Sequence, residues 1–158
     1  MNSTQRAALR DLLLSQPIAA LGTLHQGEPF VSMTPVAIRP DGGGFVIHVS
    51  RLAGHTQDML EHPSVSLMVT APADPDIPPQ ATPRVSLQGR ADPCAPGSPL
   101  YADARAAYQA RFPEGVQLFE FADFSLFLIE PTQVRYVAGF GQALTISPQV
   151  LRGILGQD

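Results

Sequence analysis

From Pro17 to Ile146 the chain is a succession of short apolar or alternating runs cut by turn residues. They are IAALGTL at 18–24, PFVSMTPVAI at 29–38, GFVIHVS at 44–50, VSLMVT at 65–70, RVSLQGRAD at 84–92 and DFSLFLIEP at 123–131. QVRYVAGF and QALTI then follow around Gly139 and Gly141 as a last strand pair or one long bent strand. A strand sends successive side chains to opposite faces, so runs this short bury an apolar face only by pairing edge to edge and curling together. The separators HQGE and RPDGG supply the glycines that hairpin turns need, which predicts a three-strand antiparallel meander at the start. About six or seven strands in this pattern imply a small closed or nearly closed barrel.

Helices are inserted between these strands. Residues 4–15 place Ala8, Leu9, Leu12 and Leu13 on one face, with Ser3 or Thr4 as N-cap. Gly54 to His62, carrying Met59 and Leu60, reads as a short helix ended by Pro63. Leu100 to Phe112 spaces Tyr101, Ala104, Tyr108 and Arg111 at three and four, while Ser147 and Pro148 cap a closing helix. Between the fourth and fifth strands, APADPDIPPQATP is too rich in proline for regular structure and forms a surface loop. The 158 residues are expected to form one domain, with a barrel core at about 17–147.

The charge balance narrows the partners. The net charge is −4, the pI is near 5.4 and all ten basic residues are arginine, which argues against nonspecific nucleic-acid or anionic-membrane binding. No apolar run approaches the roughly 20 residues that span a bilayer, and the start lacks a secretory pattern, so a cytoplasmic protein is expected. Cys94, in DPCAPGSP, reads as an exposed loop thiol, and the four histidines lack metal-ligand spacing, so no metal site is expected. GFGQA at 139–143 resembles a dinucleotide glycine motif, but a strand-like segment follows where a helix is required. Without a nucleophile motif or a positioned carboxylate pair, catalytic residues stay unassigned, and any difficult chemistry falls to a cofactor.

One junction has the makings of an anion site. The strand 44–50 ends in Ser50 and Arg51, and a helix opens at Gly54, His55 and Thr56. Hydroxyls, a guanidinium and unpaired first-turn N–H groups converge there, as a phosphate requires. The alternative is an ordinary capped helix beside a solvated arginine. Ser32 and Thr34 alternate with Val31 and Met33, so one strand face can present hydroxyls to a flat heterocycle. Arg84 and Gln88 share a face of their strand and can reach a flavin carbonyl or phosphate, although an exposed edge strand explains them equally well.

Four blocks, ALGTLHQGEPFVSMTPVAI, HVSRLAGHTQDMLEHPSVSLMV, RVSLQGRA and FADFSLFLIEPTQVRYVAGFGQAL, occur in that order from about Ile18 to Ile146. Together they resemble the pyridoxamine 5′-phosphate oxidase-like FMN-binding split barrels, most of all the branch with the HugZ-type haem-degrading proteins. The resemblance implies a six-stranded antiparallel split β-barrel in a tight homodimer with FMN at the subunit interface. It places Ser32, Met33 and Thr34 beside the isoalloxazine or ribityl chain and Val49, Ser50, His55 and Thr56 around the phosphate. Arg51 joins the phosphate group, and Arg84 with Gln88 reach in from the neighbouring strand.

Departures from the pattern matter as well. Val36 stands where true pyridoxamine oxidases carry a lysine, and RYVAGFG occupies the place of their substrate-binding arginine-histidine pair. HugZ-type proteins carry a haem-binding histidine in further C-terminal sequence, whereas this sequence has no histidine after His62. The leading expectation is therefore an FMN-dependent oxidoreductase acting on a small substrate. The alternatives are a HugZ-like haem-binding or haem-degrading protein, and a non-catalytic carrier or sensor of flavin, haem or F420.

Overall fold

The computed structural model describes residues 1–156. Eight strands form one antiparallel sheet: β1 (Ile18–His25), β2 (Glu28–Pro35), β3 (Ala37–Ile38), β4 (Phe45–Ser50), β5 (Ser64–Thr70), β6 (Arg84–Cys94), β7 (Phe124–Val137) and β8 (Ala143–Ile146). Their spatial order is β2-β1-β5-β6-β7-β4-β3, with β8 beside β7. β2 and β3 lie at opposite ends of that path yet are separated in sequence only by Val36. One residue cannot cross a flat sheet of seven strands about 4.8 Å apart, so the sheet curls until its two ends meet at Val36. Val36 is buried, and its N–H donates to Pro17 O at 3.0 Å at the seam. This is the expected split barrel, with eight strands where six were expected.

The expected meander stops after one hairpin. β1 and β2 pair from Ile18↔Pro35 to His25↔Glu28, but β4 pairs with β3 and β7, not with β2. The run 29–38, read as one strand, is broken at Val36, where the chain passes from one sheet end to the other. β7 is also longer than expected, because it continues through Pro131. On one side it pairs with β6; on the other, β4 covers Phe124–Ile129 and β8 covers Val134–Val137. Pro131 falls in the gap between those two partners, at a register shift opposite Gln88 and Gly89, where its missing N–H costs no ladder bond.

Helices plug and flank the barrel. In α1 (Ser3–Ser15), Leu9, Leu12 and Leu13 are buried and Ala8 is exposed. The N-cap is Asn2 rather than Ser3 or Thr4: Gln5 N–H donates to Asn2 Oδ1 at 2.8 Å, and Asn2 N–H to Gln5 Oε1 at 3.1 Å. α2 (Gly54–Glu61) buries Thr56, Asp58 and Met59 and leaves Leu60 exposed. α3 (Tyr101–Arg111) lays Ala104 and Tyr108 over a second apolar cluster containing Ala37, Val46, Cys94, Phe112 and Leu126. Arg111 ties α3 to the end of α1 by donating to Leu14 O at 2.6 Å and Gln16 O at 2.7 Å. Cys94 ends β6 and is buried, contrary to the exposed loop thiol expected, because the strand carries it beneath α3. Among the described residues no helix is long and apolar enough to cross a membrane.

α4 (Pro148–Leu155) closes the barrel, with Ser147 Oγ accepting from Val150 N–H at 3.3 Å. Its last turn is clamped by the loop before β4. Asp41 Oδ2 accepts from Arg39 at 2.9 Å and Arg152 at 2.8 Å, and Gly42, at φ +66°, lies against the backbone of Arg152 and Gly156. A Cβ at Gly42 would sit 2.5 Å from Gly156 N and 2.6 Å from Arg152 O. Gly42→Ala therefore combines a left-handed φ with a backbone collision, and should cost about 2 kcal/mol or more. Gly97→Ala, at φ +87° with open space around it, should cost only the backbone term, about 1 kcal/mol. Parallel urea denaturation of both variants checks this ordering; equal losses would show that the α4 clamp contributes nothing.

Candidate cofactor site

At the start of α2 the structure brings together the residues expected to hold an anion, and it also shows what they already bind. Ser50 Oγ donates to Asp123 Oδ2 at 2.8 Å and accepts from Leu52 N–H at 3.1 Å. Thr56, fully buried, donates to Ser50 O at 2.6 Å, and Arg51 donates to Ala122 O at 2.6 Å. Val49 is buried in the core. Ser32 Oγ and His55 Nδ1 share a hydrogen bond of 3.1 Å, joining β2 to α2. Burial lowers the His55 pKa, and the neighbouring Asp58 carboxylate opposes that shift. The expected phosphate ligands thus form a protein-internal network in which every one of these hydroxyls has a partner.

The faces of β2 and β6 come out differently from the sequence reading. Thr34 is buried, donating to Pro35 O at 3.1 Å, and Ser32 is half-buried; Val31 and Met33 are 68% and 58% exposed. The hydroxyls therefore face inward and the apolar side chains outward. Arg84 and Gln88 share a face, as expected, but it is the outer face of a central strand. The Arg84 guanidinium folds back onto its own loop, donating to Thr82 O at 2.9 Å and Gln80 O at 3.3 Å.

That outer face is hollowed. A concavity of about 500 Å³ is lined by Leu24, Pro29, Phe30, Val31, Ser66 and Gln88, among others. Gly22 lies in its floor, where a Cβ would collide with Ser66 Oγ. A second hollow of about 290 Å³ shares Ser66 and Gln88 with the first and reaches Arg135. At the end of β1, His25 Nδ1 lies 2.7 Å from Asp58 Oδ1, while Thr23 Oγ1 donates to Asp58 Oδ2 at 2.8 Å. Burial pushes the Asp58 pKa up, but the hydrogen bonds from His25 and Thr23 and the charges of His25 and His55 outweigh it, and the net shift is downward. The sequence reading missed this trio, because 33 residues separate His25 from Asp58 and no local spacing links them.

On the other side of the barrel, His48 is stacked on Phe119 at 3.8 Å and edged by Tyr108 at 5.6 Å. Its Nδ1 is buried without a hydrogen-bond partner. Burial, and then the nearby Arg105 charge, lower its pKa to about 4.

Residues 6–138 match the family described as pyridoxamine 5′-phosphate oxidase. The chain belongs to that family. Among its relatives is the chloroplastic non-canonical heme oxygenase HOZ of Arabidopsis thaliana, 36% identical over 119 residues. The match covers 75% of this chain and 35% of HOZ, so the chain spans about a third of that relative. Heme oxygenase HutZ of Vibrio cholerae is 30% identical over 123 residues, which cover 77% of this chain and 69% of HutZ. A solved structure of a heme binding protein from Mycobacterium smegmatis superposes with a TM-score of 0.84 at 26% identity, covering 97% of this chain and 62% of that one.

These relatives bear out the expected likeness to the haem-utilisation branch and overturn the leading functional expectation. An FMN-dependent oxidoreductase gives way to the haem alternative, because both curated relatives are named heme oxygenases and the Mycobacterium smegmatis structure is named a heme binding protein. The serine, threonine and arginine side chains assigned to the flavin phosphate are bonded to the protein's own oxygens.

His48 makes a testable contribution to stability in this family member. Its folded pKa lies below the unfolded value, so unfolding takes up a proton between pH 6.5 and about 4. The contribution is complete above pH 6.5 and fades as the pH falls towards 4, by up to about 3 kcal/mol. His55, shifted in the same direction, adds to the loss. His48→Phe keeps the ring stack and removes the orphan nitrogen, so its stability should fall less steeply across this range. Urea midpoints at pH 7, 5.5 and 4.5 check this; a slope identical to that of the parent would assign the acid sensitivity elsewhere.

Proposed function

We propose that this protein binds haem at the hollowed outer face of its barrel, as a homodimer, and serves haem degradation. The observation that carries the reading is an apolar, glycine-floored concavity of about 500 Å³ in a chain whose curated relatives are heme oxygenases. The volume falls within the range of pockets that bury a small ligand. Haem would supply the iron that activates oxygen. Leu24, Phe30 and Val31 offer apolar area to the macrocycle, and Ser66 and Gln88 offer polar contacts. Arg90 and Arg135, exposed on the same sheet, offer cations to its acidic side chains. Of the residues singled out from the sequence, Met33, Arg84 and Gln88 lie on this face, with the Arg84 guanidinium turned onto Thr82 O and Gln80 O.

A second copy of the chain is the partner proposed for the same face. Ile18, Val31, Met33 and Met68 are exposed across adjoining strands β1, β2 and β5, making an apolar patch that an isolated barrel leaves in water. Covering it with a twin surface removes that area from solvent and closes a haem between the copies.

Titration of the purified protein with haemin, followed in the Soret region, should saturate, and reductant with oxygen should then bleach the band. Val31→Asp combined with Met33→Asp should give a monomer by light scattering and weaken haemin binding by about tenfold or more. Far-UV circular dichroism should be unchanged, because both side chains face solvent in the single chain. Absence of saturable haemin uptake would overturn the haem reading, and a double variant that stays dimeric would overturn the proposed interface.

A further inference from the structure

The alternation of β4 sends Phe45, Ile47 and Val49 into the barrel and turns Val46 and His48 to the opposite side, beneath α3. An apolar side chain at position 48 would complete the layer there. The chain instead buries an imidazole, 6% exposed, whose Nδ1 is sealed and unpartnered and whose Nε2 is bonded by no described residue. A buried polar group in this state costs stability, and nearly all such groups in folded proteins have a partner. His48 calls for one that the chain does not supply.

A cavity beside it has the room. About 270 Å³ is lined by His48, Arg51, Tyr101, Phe119, Phe124 and Leu126, among others, and shares no lining residue with the outer hollow. The volume lies just under the range of pockets that take drug-sized ligands, so it admits a single ring and neither a flavin nor a haem. With Nδ1 sealed, Nε2 is the ring nitrogen left to the cavity.

The charge at the cavity has one sign. Arg51 is the only charged side chain of the lining, which contains no carboxylate. One Arg51 nitrogen donates to Ala122 O, and its other N–H groups have no acceptor among the described residues. Behind the wall, the Arg105 guanidinium lies 4.9 Å from the centre of the Phe119 ring, which stacks on His48 at 3.8 Å and 10°. Burial and that second cation keep the imidazole neutral at pH 7, so it offers a hydrogen bond rather than a charge. A carboxylate answers a guanidinium with two parallel hydrogen bonds, and a flat ring fits walls made by Tyr101, Phe124 and the stacked pair.

We propose that this cavity binds a small hydroxylated aromatic carboxylate, with the carboxylate on Arg51 and the hydroxyl on His48 Nε2. The site is separate from the outer hollow and stands whether or not haem binds there.

The test titrates the full chain with 3- and 4-hydroxybenzoate and follows backbone amide chemical shifts. At least one of the two acids should saturate, with the largest shifts at lining residues such as Ala95, Phe119 and Ser125. Arg51→Gln, at an exposed position, should keep the fold and weaken binding by about tenfold or more. His48→Phe keeps the ring stack; it should weaken the hydroxybenzoate by about fivefold and leave benzoate, which lacks the hydroxyl, unchanged. A merely structural disturbance would weaken both acids alike. No saturable shift with either hydroxybenzoate, shifts centred elsewhere, or an unchanged affinity in Arg51→Gln would each overturn the site. Equal losses for hydroxybenzoate and benzoate in His48→Phe would overturn the role given to His48.

Discussion

The closure of the sheet at Val36 is the constraint on which the rest of the structure depends. Because β2 and β3 lie at opposite ends of the strand order and are one residue apart in the chain, the sheet has no flat solution. Curling turns one face into an interior, filled by Leu21, Ile47, Leu67, Phe127, Ile129 and Tyr136. The other becomes an outer surface with a hollow in it. A buried, uncharged side chain at the seam suits this role, since a lysine at position 36 would have to bring its charge into an almost fully buried site.

The same constraint explains the divided partnership of β7. Along one edge β7 keeps β6 as its neighbour from Leu126 to Val137 through a bulge, while on the other β4 covers its first half and β8 its second. The transition is made with a bulge and with Pro131, which has no N–H to leave unpaired. The ends of the barrel are then stoppered by helices: α1 and α4 add Leu9, Leu12, Leu151 and Ile154 to the interior, and α2 is held against β1 by the Thr23–Asp58–His25 trio.

Much of this was legible from period and punctuation. The runs VSLMVT and RVSLQGRAD form β5 and β6 where expected, and the Ser147–Pro148 start of α4 forms as its cap chemistry implies. What escaped was set at long range. Pro131 reads locally as a stop, but β7 continues through it because Pro131 pairs with Gly89 beside a bulge at Thr132. Cys94 reads as a loop thiol and is buried only because α3 packs above it. On β2 the alternation was visible but its sense was not, since which face of an edge strand turns inward depends on the curl of the whole sheet.

That inversion on β2 decides the chemistry the site can offer. At the α2 start Thr56 donates to Ser50 O, Ser50 to Asp123 and one Arg51 nitrogen to Ala122 O. The outer face offers something else, namely apolar area and a backbone that can be approached closely. Val31 and Met33 turned outward supply area, and Gly22 against Ser66 supplies a floor without a side chain. Away from that floor, His25 and Thr23 hold the Asp58 carboxylate, whose burial would be costly if it were not hydrogen-bonded at both oxygens. The strand that by sequence alone presents hydroxyls outward therefore turns its apolar side chains outward once the barrel closes.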